Sequence, residues 1–156
     1  MRNISELVNG LFDKNDKDAY NCFKELVSAS EQSKDVYQFF DTFVEMMDNE
    51  NSYVRTRGLL LISVNAKWDL GCKINGIIDK YLYYIMDDKP ITARLCVKAL
   101  PNIAKHKPEL IDDIRAALHK ANPQQYAASM QPLVHNDIKA ALKTISELAQ
   151  ADSGLT

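Results

Sequence analysis

A chain of 156 residues with 19 basic and 21 acidic side chains carries a formal charge of −2, so its overall field gives no general attraction to phosphate backbones or anionic lipid. A composition of 46% hydrophobic and 26% charged residues excludes a disordered tail and a coiled coil. The length is enough for one domain, 1–156, to bury a core without disulfides or metal.

Cys22, Cys72 and Cys96 are odd in number and tens of residues apart, which suits neither a disulfide framework nor a paired-cysteine zinc site; they are expected to be reduced thiols on helices. The longest apolar stretch, Gly58 to Val64, is far too short to cross a bilayer, and the opening MRNISELVNGLFDK lacks the basic region and apolar run of a secretion signal. These features predict a cytoplasmic protein with no membrane partner.

In chain order, apolar residues recur at spacings of three and four, which place them on one face of a helix. The first stripe is Ile4, Leu7, Val8, Leu11; the second Ala19, Phe23, Leu26, Val27; the third Val36, Phe40, Phe43, Val44, Met47. Val54, Leu61 and Ile62 follow, then the strongly periodic Ile74, Ile77, Ile78, Tyr81, Leu82, Ile85. Leu95, Ala99, Leu100, Ile103 come next, then Leu110, Ile111, Ile114, Ala117, Leu118, and last Val134, Ile138, Ala141, Leu142, Ile145, Leu148. No segment alternates apolar and polar residues over a strand's length, so no strand is expected.

Ser33 and Ser52 are placed to open helices, and Pro90 and Pro108 suit first-turn positions, where the missing N–H is not needed. Short connectors between helices of similar length predict antiparallel neighbours, hence consecutive helical hairpins.

An offset of 39 residues superimposes the middle of the chain on itself: Met47-Asp48 on Met86-Asp87, Asn51 on Pro90, Arg55 on Arg94, Leu61 on Leu100, and Val64 on Ile103. A period near forty with two helices per unit is the mark of a helical solenoid. The segment DNENSYVRTRGLLLI resembles the first helix of a HEAT repeat, with Val54-Arg55 in the family's Val-Arg place, and DDKPITARLCVKALPNIAKHKPEL repeats it with Pro90, Ala93 and Arg94. Pro101 falls on Ile62 in this alignment, where a bend in the helix is a habit of the family.

The resemblance covers residues 34–121, with N-terminal helices in 1–33 and a proline-bracketed cap in 122–156. It implies an all-α, armadillo-like α-α superhelix of about four antiparallel helix pairs. The family binds proteins, peptides or occasionally nucleic acid on a concave surface made by its second helices.

Nothing in the chain forms a catalytic or metal-binding signature. His106, His119 and His135 fit no metal spacing, and His119 shares a helix face with Asp113 only loosely. The pairs Asp87-Asp88 and Asp112-Asp113 fall at helix starts or turns, where the macrodipole accounts for them. GCKING, residues 71–76 inside a helical stripe, lacks the lysine and hydroxyl of a phosphate loop. No catalytic residue, cofactor or metal is therefore expected.

Arg55, Arg57 and Arg94 form a ladder along the repeats. They are read first as structural, bonding an acid or loop carbonyl of the adjacent repeat, and second as an anion groove. Of the clustered aromatics Tyr37, Phe39, Phe40, Phe43, Tyr53, Trp68, Tyr81, Tyr83 and Tyr84, most are expected in the core. Tyr83 and Phe39 lie off the stripes with Lys73 and Lys80, suggesting a partly exposed aromatic and basic strip on the second helices. The expected partner is a protein or peptide that meets Arg55, Arg57, Lys73, Lys80, Tyr83 and Arg94. The alternative is nucleic acid, by analogy with HEAT-like DNA alkylation repair proteins, and the near-neutral charge speaks against it.

Overall fold

Each apolar stripe winds into helix in the computed structural model, which describes residues 3–154 and contains no strand among them. The α-helices are α1 (Ile4–Gly10), α2 (Asp16–Gln32), α3 (Phe40–Met46), α4 (Ser52–Val64), α5 (Lys73–Tyr83), α6 (Pro90–His106), α7 (Ile111–Lys120) and α8 (Gln131–Gly154). Single 3₁₀ turns, Val36–Phe39, Tyr84–Met86 and Pro108–Leu110, lead into α3, out of α5 and into α7. No helix is long and apolar enough to cross a membrane among these residues.

Asparagine starts the early helices. The side-chain oxygens of Asn3, Asn15 and Asn51 accept the backbone N–H groups of Glu6, Asp18 and Tyr53 at 2.8, 3.1 and 2.8 Å, which satisfies donors that a helix start leaves open. Ser52 is thus the first residue of α4 and not its cap. Ser33 closes α2 instead of opening the next segment, and its hydroxyl accepts the Asp35 N–H at 3.3 Å in the turn that follows. Pro90 stands in the first turn of α6, as its missing N–H requires.

The helical stripe around GCKING is shorter than its periodicity suggests. The Asp69 carboxylate accepts the Lys73 N–H at 2.9 Å and starts α5 there, so Gly71 and Cys72 belong to the preceding turn. Cys72 has a φ of 59°, a left-handed conformation strained for a residue with a Cβ.

The chain divides into two compact units, one ending at Lys73 and one beginning at Ile74. In the first, α1 packs on α2, α3 on α4, and α2 on α4. Leu11, Leu26, Phe40, Phe43, Met46, Leu59 and Leu61 are fully buried. Beside this apolar interior the C-terminal ends of α2 and α4 are joined by polar bonds. Asn65 donates to the Ser30 hydroxyl at 3.1 Å, and the Trp68 indole N–H donates to the Ser30 carbonyl at 2.7 Å. The Tyr37 hydroxyl donates to Asp69, and burial together with that carboxylate pushes its pKa well above the ordinary value.

In the second unit α6 packs on α8 and α7, and on the 3₁₀ turn that ends α5; α7 also packs on α8. The 3₁₀ turn Pro123–Gln125, between α7 and α8, is tied back to the turn before α6. The Tyr126 hydroxyl donates to the Asp87 carbonyl at 2.6 Å, and the Gln125 amide to the Met86 carbonyl at 3.1 Å. Pro101 sits inside α6, where it removes one backbone donor.

The approach of α3 to α4 is set at Gly58. A Cβ there would lie 2.8 Å from both the Phe43 carbonyl oxygen and the Met46 Cβ. Alanine is intrinsically the better helix former by about 1 kcal/mol. Gly58→Ala is nevertheless expected to destabilise the protein, by about 1–3 kcal/mol, because the backbone of α3 must shift to admit the methyl group. Urea unfolding followed by circular dichroism measures this, and an unchanged or raised midpoint would contradict the close contact.

Candidate functional site

The six residues singled out from the sequence have distinct surroundings. Arg55 folds back over the start of its own helix, where Nη1 donates to the carbonyls of Asn49 and Glu50 at 3.1 and 3.0 Å. Arg57 is buried and reaches from α4 to the first turn of α2, its Nη2 at 2.6 Å from the Asp16 carboxylate. Arg94, which the 39-residue offset aligns with Arg55 and not with Arg57, reaches forward in the second unit, Nε to Asp137 of α8 at 2.6 Å, and Lys98 stands 4.0 Å from the other oxygen of that carboxylate. The bond to Asp137 raises the pKa of Arg94 further and keeps its charge in place.

While Arg55 bonds the turn before its own helix, Arg57 and Arg94 bond acids 41 and 43 residues away in sequence. Their charges are already matched. A free anion would have to displace a carboxylate held at charge-assisted hydrogen-bond distance.

The α5 residues differ. Lys73, exposed, stands 3.1 Å from the exposed Asp41 carboxylate and 5.8 Å from the centre of the Phe40 ring. Lys80 is half-buried, and Tyr83, one turn further along the helix, is 74% exposed. The Tyr83 ring meets Tyr84 edge-on at 5.3 Å, so an otherwise solvent-facing ring is anchored by a buried neighbour. Phe39 is half-buried in the 3₁₀ turn that leads to α3.

A feature not anticipated from the sequence lies in the second unit, at the corner of α7 and α8. Leu118 of α7 with Ile138 and Leu142 of α8 floor an open trough of about 260 Å³, and His119, His135 and Lys139 stand around it. Pro123 and His135 border both this trough and an adjoining hollow of about 410 Å³ over the start of α8. The histidines, 16 residues apart in sequence, come together only because α7 and α8 are packed against each other. Their individual spacing carried no signal of this.

The acid pairs hold local roles. The buried Asp87 carboxylate accepts the Lys89 N–H at 2.9 Å in the turn before α6, while Asp112 and Asp113 occupy the first turn of α7. No group of three or more His, Cys, Asp or Glu side chains able to hold a metal ion occurs among the described residues. Burial raises the pKa of the Cys96 thiol, which keeps it protonated and unreactive. No family model, curated protein or solved structure matches this chain.

The Asp137 side chain is only 12% exposed, so Arg94→Ala leaves a largely buried carboxylate short of its nearest cation. The expected loss is about 1–3 kcal/mol of unfolding free energy. A double-mutant cycle with Asp137→Ala isolates the pair: additive effects would show that the contact contributes nothing.

Proposed function

We propose that this chain is a HEAT-like helical-repeat module that holds a protein or peptide partner and performs no catalysis. The observation that carries this reading is Tyr83, an exposed tyrosine braced edge-on against a buried one and standing one turn from Lys80 on α5. Rigid tyrosine with a neighbouring cation is favoured chemistry for anchoring a protein partner, because it supplies contact area with little loss of rotamer freedom.

Several features support the repeat reading alongside it. The 39-residue self-match falls on α4 and α6, both entered through a turn in which a side-chain carbonyl or carboxylate accepts the N–H two residues on, Asn49 to Asn51 and Asp87 to Lys89. The α2–α4 and α6–α8 contacts each carry one arginine–aspartate pair. A solenoid reading agrees with the α2–α4 and α6–α8 packing, since first helices of successive repeats stack side by side, but the two arginine–aspartate pairs do not occupy positions that the offset relates.

The nucleic-acid alternative draws on the same architecture but needs cations free to meet phosphate. Arg57 and Arg94 are held by carboxylates, and Lys73 faces Asp41. Binding to duplex DNA is expected to be weak, on the order of the non-specific range of 10⁻⁴–10⁻⁶ M at physiological salt. Fluorescence anisotropy titrations across a salt series test this; tight binding with a steep salt slope would favour the alternative.

Partner capture from a cell extract, compared between the wild-type chain and Tyr83→Ala with Lys80→Ala, tests the proposed surface. Both side chains can be removed without opening the apolar interior, so circular dichroism should be unchanged while the specific partners are lost. Retention of every captured protein by the double variant would remove this face from consideration.

A further inference from the structure

We infer that the trough between α7 and α8 is a second docking site, whose occupant is an acidic peptide segment presenting one or two apolar side chains. The argument starts from its chemistry. Leu118, Ile138 and Leu142 line it with hydrocarbon, and the polar side chains around that floor, His119, His135 and Lys139, are all basic. None of the residues lining the trough or the adjoining hollow is acidic, although the whole chain has more acids than bases. The charge of Lys139, with no carboxylate among the lining residues, is a local positive site on a net negative molecule and selects for a partner of the opposite sign.

Size and shape narrow the class. At about 260 Å³ the trough falls below the roughly 300–1,000 Å³ of pockets that enclose a drug-sized ligand, yet it accommodates side chains of a segment that continues past it. The adjoining hollow of about 410 Å³ gives that segment a path, lined by Pro123, Gln124, Gln131 and Pro132. The Gln124 side-chain amide there offers a main-chain partner to an extended peptide, whereas Gln131 Nε2 already donates to the Tyr126 and Gln124 carbonyls at 2.9 and 3.5 Å. The start of α8 has no acidic residue in its first turn, so its positive end adds to the attraction for carboxylates.

A nucleic acid fits less well. Proteins that hold single strands stack bases chiefly on large aromatic rings, and no tyrosine, phenylalanine or tryptophan lines either hollow, only His119 and His135. The hydrocarbon floor would then face the least apolar part of such a ligand.

The test selects a phage-displayed random peptide library on the full chain and measures the enriched sequences, synthesised with a fluorescein label, by anisotropy. Enriched peptides should combine carboxylates with leucine- or phenylalanine-like residues. Their affinity should fall about tenfold or more in His135→Glu with Lys139→Glu, exposed positions whose exchange leaves circular dichroism unchanged. Amide shifts in the ¹⁵N spectrum should centre on α7 and the first half of α8. Enrichment of neutral or basic peptides, no enrichment, or equal affinity for the charge-reversed variant would each overturn the proposal. Tighter binding of a labelled oligo-dT than of any peptide, lost in the same variant, would overturn it in favour of nucleic acid.

Discussion

An amphipathic helix of ten to seventeen residues is not stable alone in water, since isolated helices shorter than about 12–15 residues are marginal even with favourable sequences. Every other feature of this chain depends on that constraint. The α7 helix, Ile111–Lys120, exists because Ile114 and Leu118 are buried, and α3, Phe40–Met46, because Phe43 and Met46 are. In the first unit the demand for contact is sharp enough to require a glycine: α3 and α4 approach so closely at Gly58 that a methyl group would meet main chain. Stacking stabilises the helices, both between neighbours in sequence, α1 with α2 and α3 with α4, and between next-but-one helices, α2 with α4 and α6 with α8.

Packing helices in this way buries their ends, and the polar groups there need partners inside the protein. The chain meets this with side chains drawn from one helix end to another. Ser30, Asn65 and Trp68 join α2 to the end of α4; Tyr37 and the Lys73 N–H share Asp69; Tyr126 reaches the carbonyl of Asp87. Such bonds contribute little net stability individually, but leaving any one unmade would strand a buried donor or acceptor. They also hold the connections in one conformation, which a preformed binding surface requires.

The same accounting separates structural charges from available ones. Arg57 and Arg94 are long side chains that reach carboxylates on the neighbouring helix, and their positive charge is consumed within the fold. Tyr83, at the exposed edge of α5, and the basic border of the α7–α8 trough keep their chemistry turned outward. The proposed polypeptide partner rests on these two features, exposed aromatic area beside a cation and hydrocarbon bordered by basic groups.

Sequence periodicity alone determined the all-helical class, because a spacing of three and four is a property of consecutive residues and needs no knowledge of neighbours. Eight stripes became eight α-helices among the described residues, and the proline at the start of α6 was legible for the same local reason. Exact boundaries were less so: Ser33 closed α2 where it was expected to open the helix that follows, and α5 started at Lys73 because Asp69, four residues away and buried, accepts its N–H. What only the tertiary structure decided lies across longer separations. That Arg57 meets Asp16, that Arg94 meets Asp137, and that His119 and His135 border one trough all follow from which helix faces touch. A one-dimensional pattern marks the buried face of each helix, but the partner of a given face is fixed by packing geometry, and there the surfaces available for binding are made.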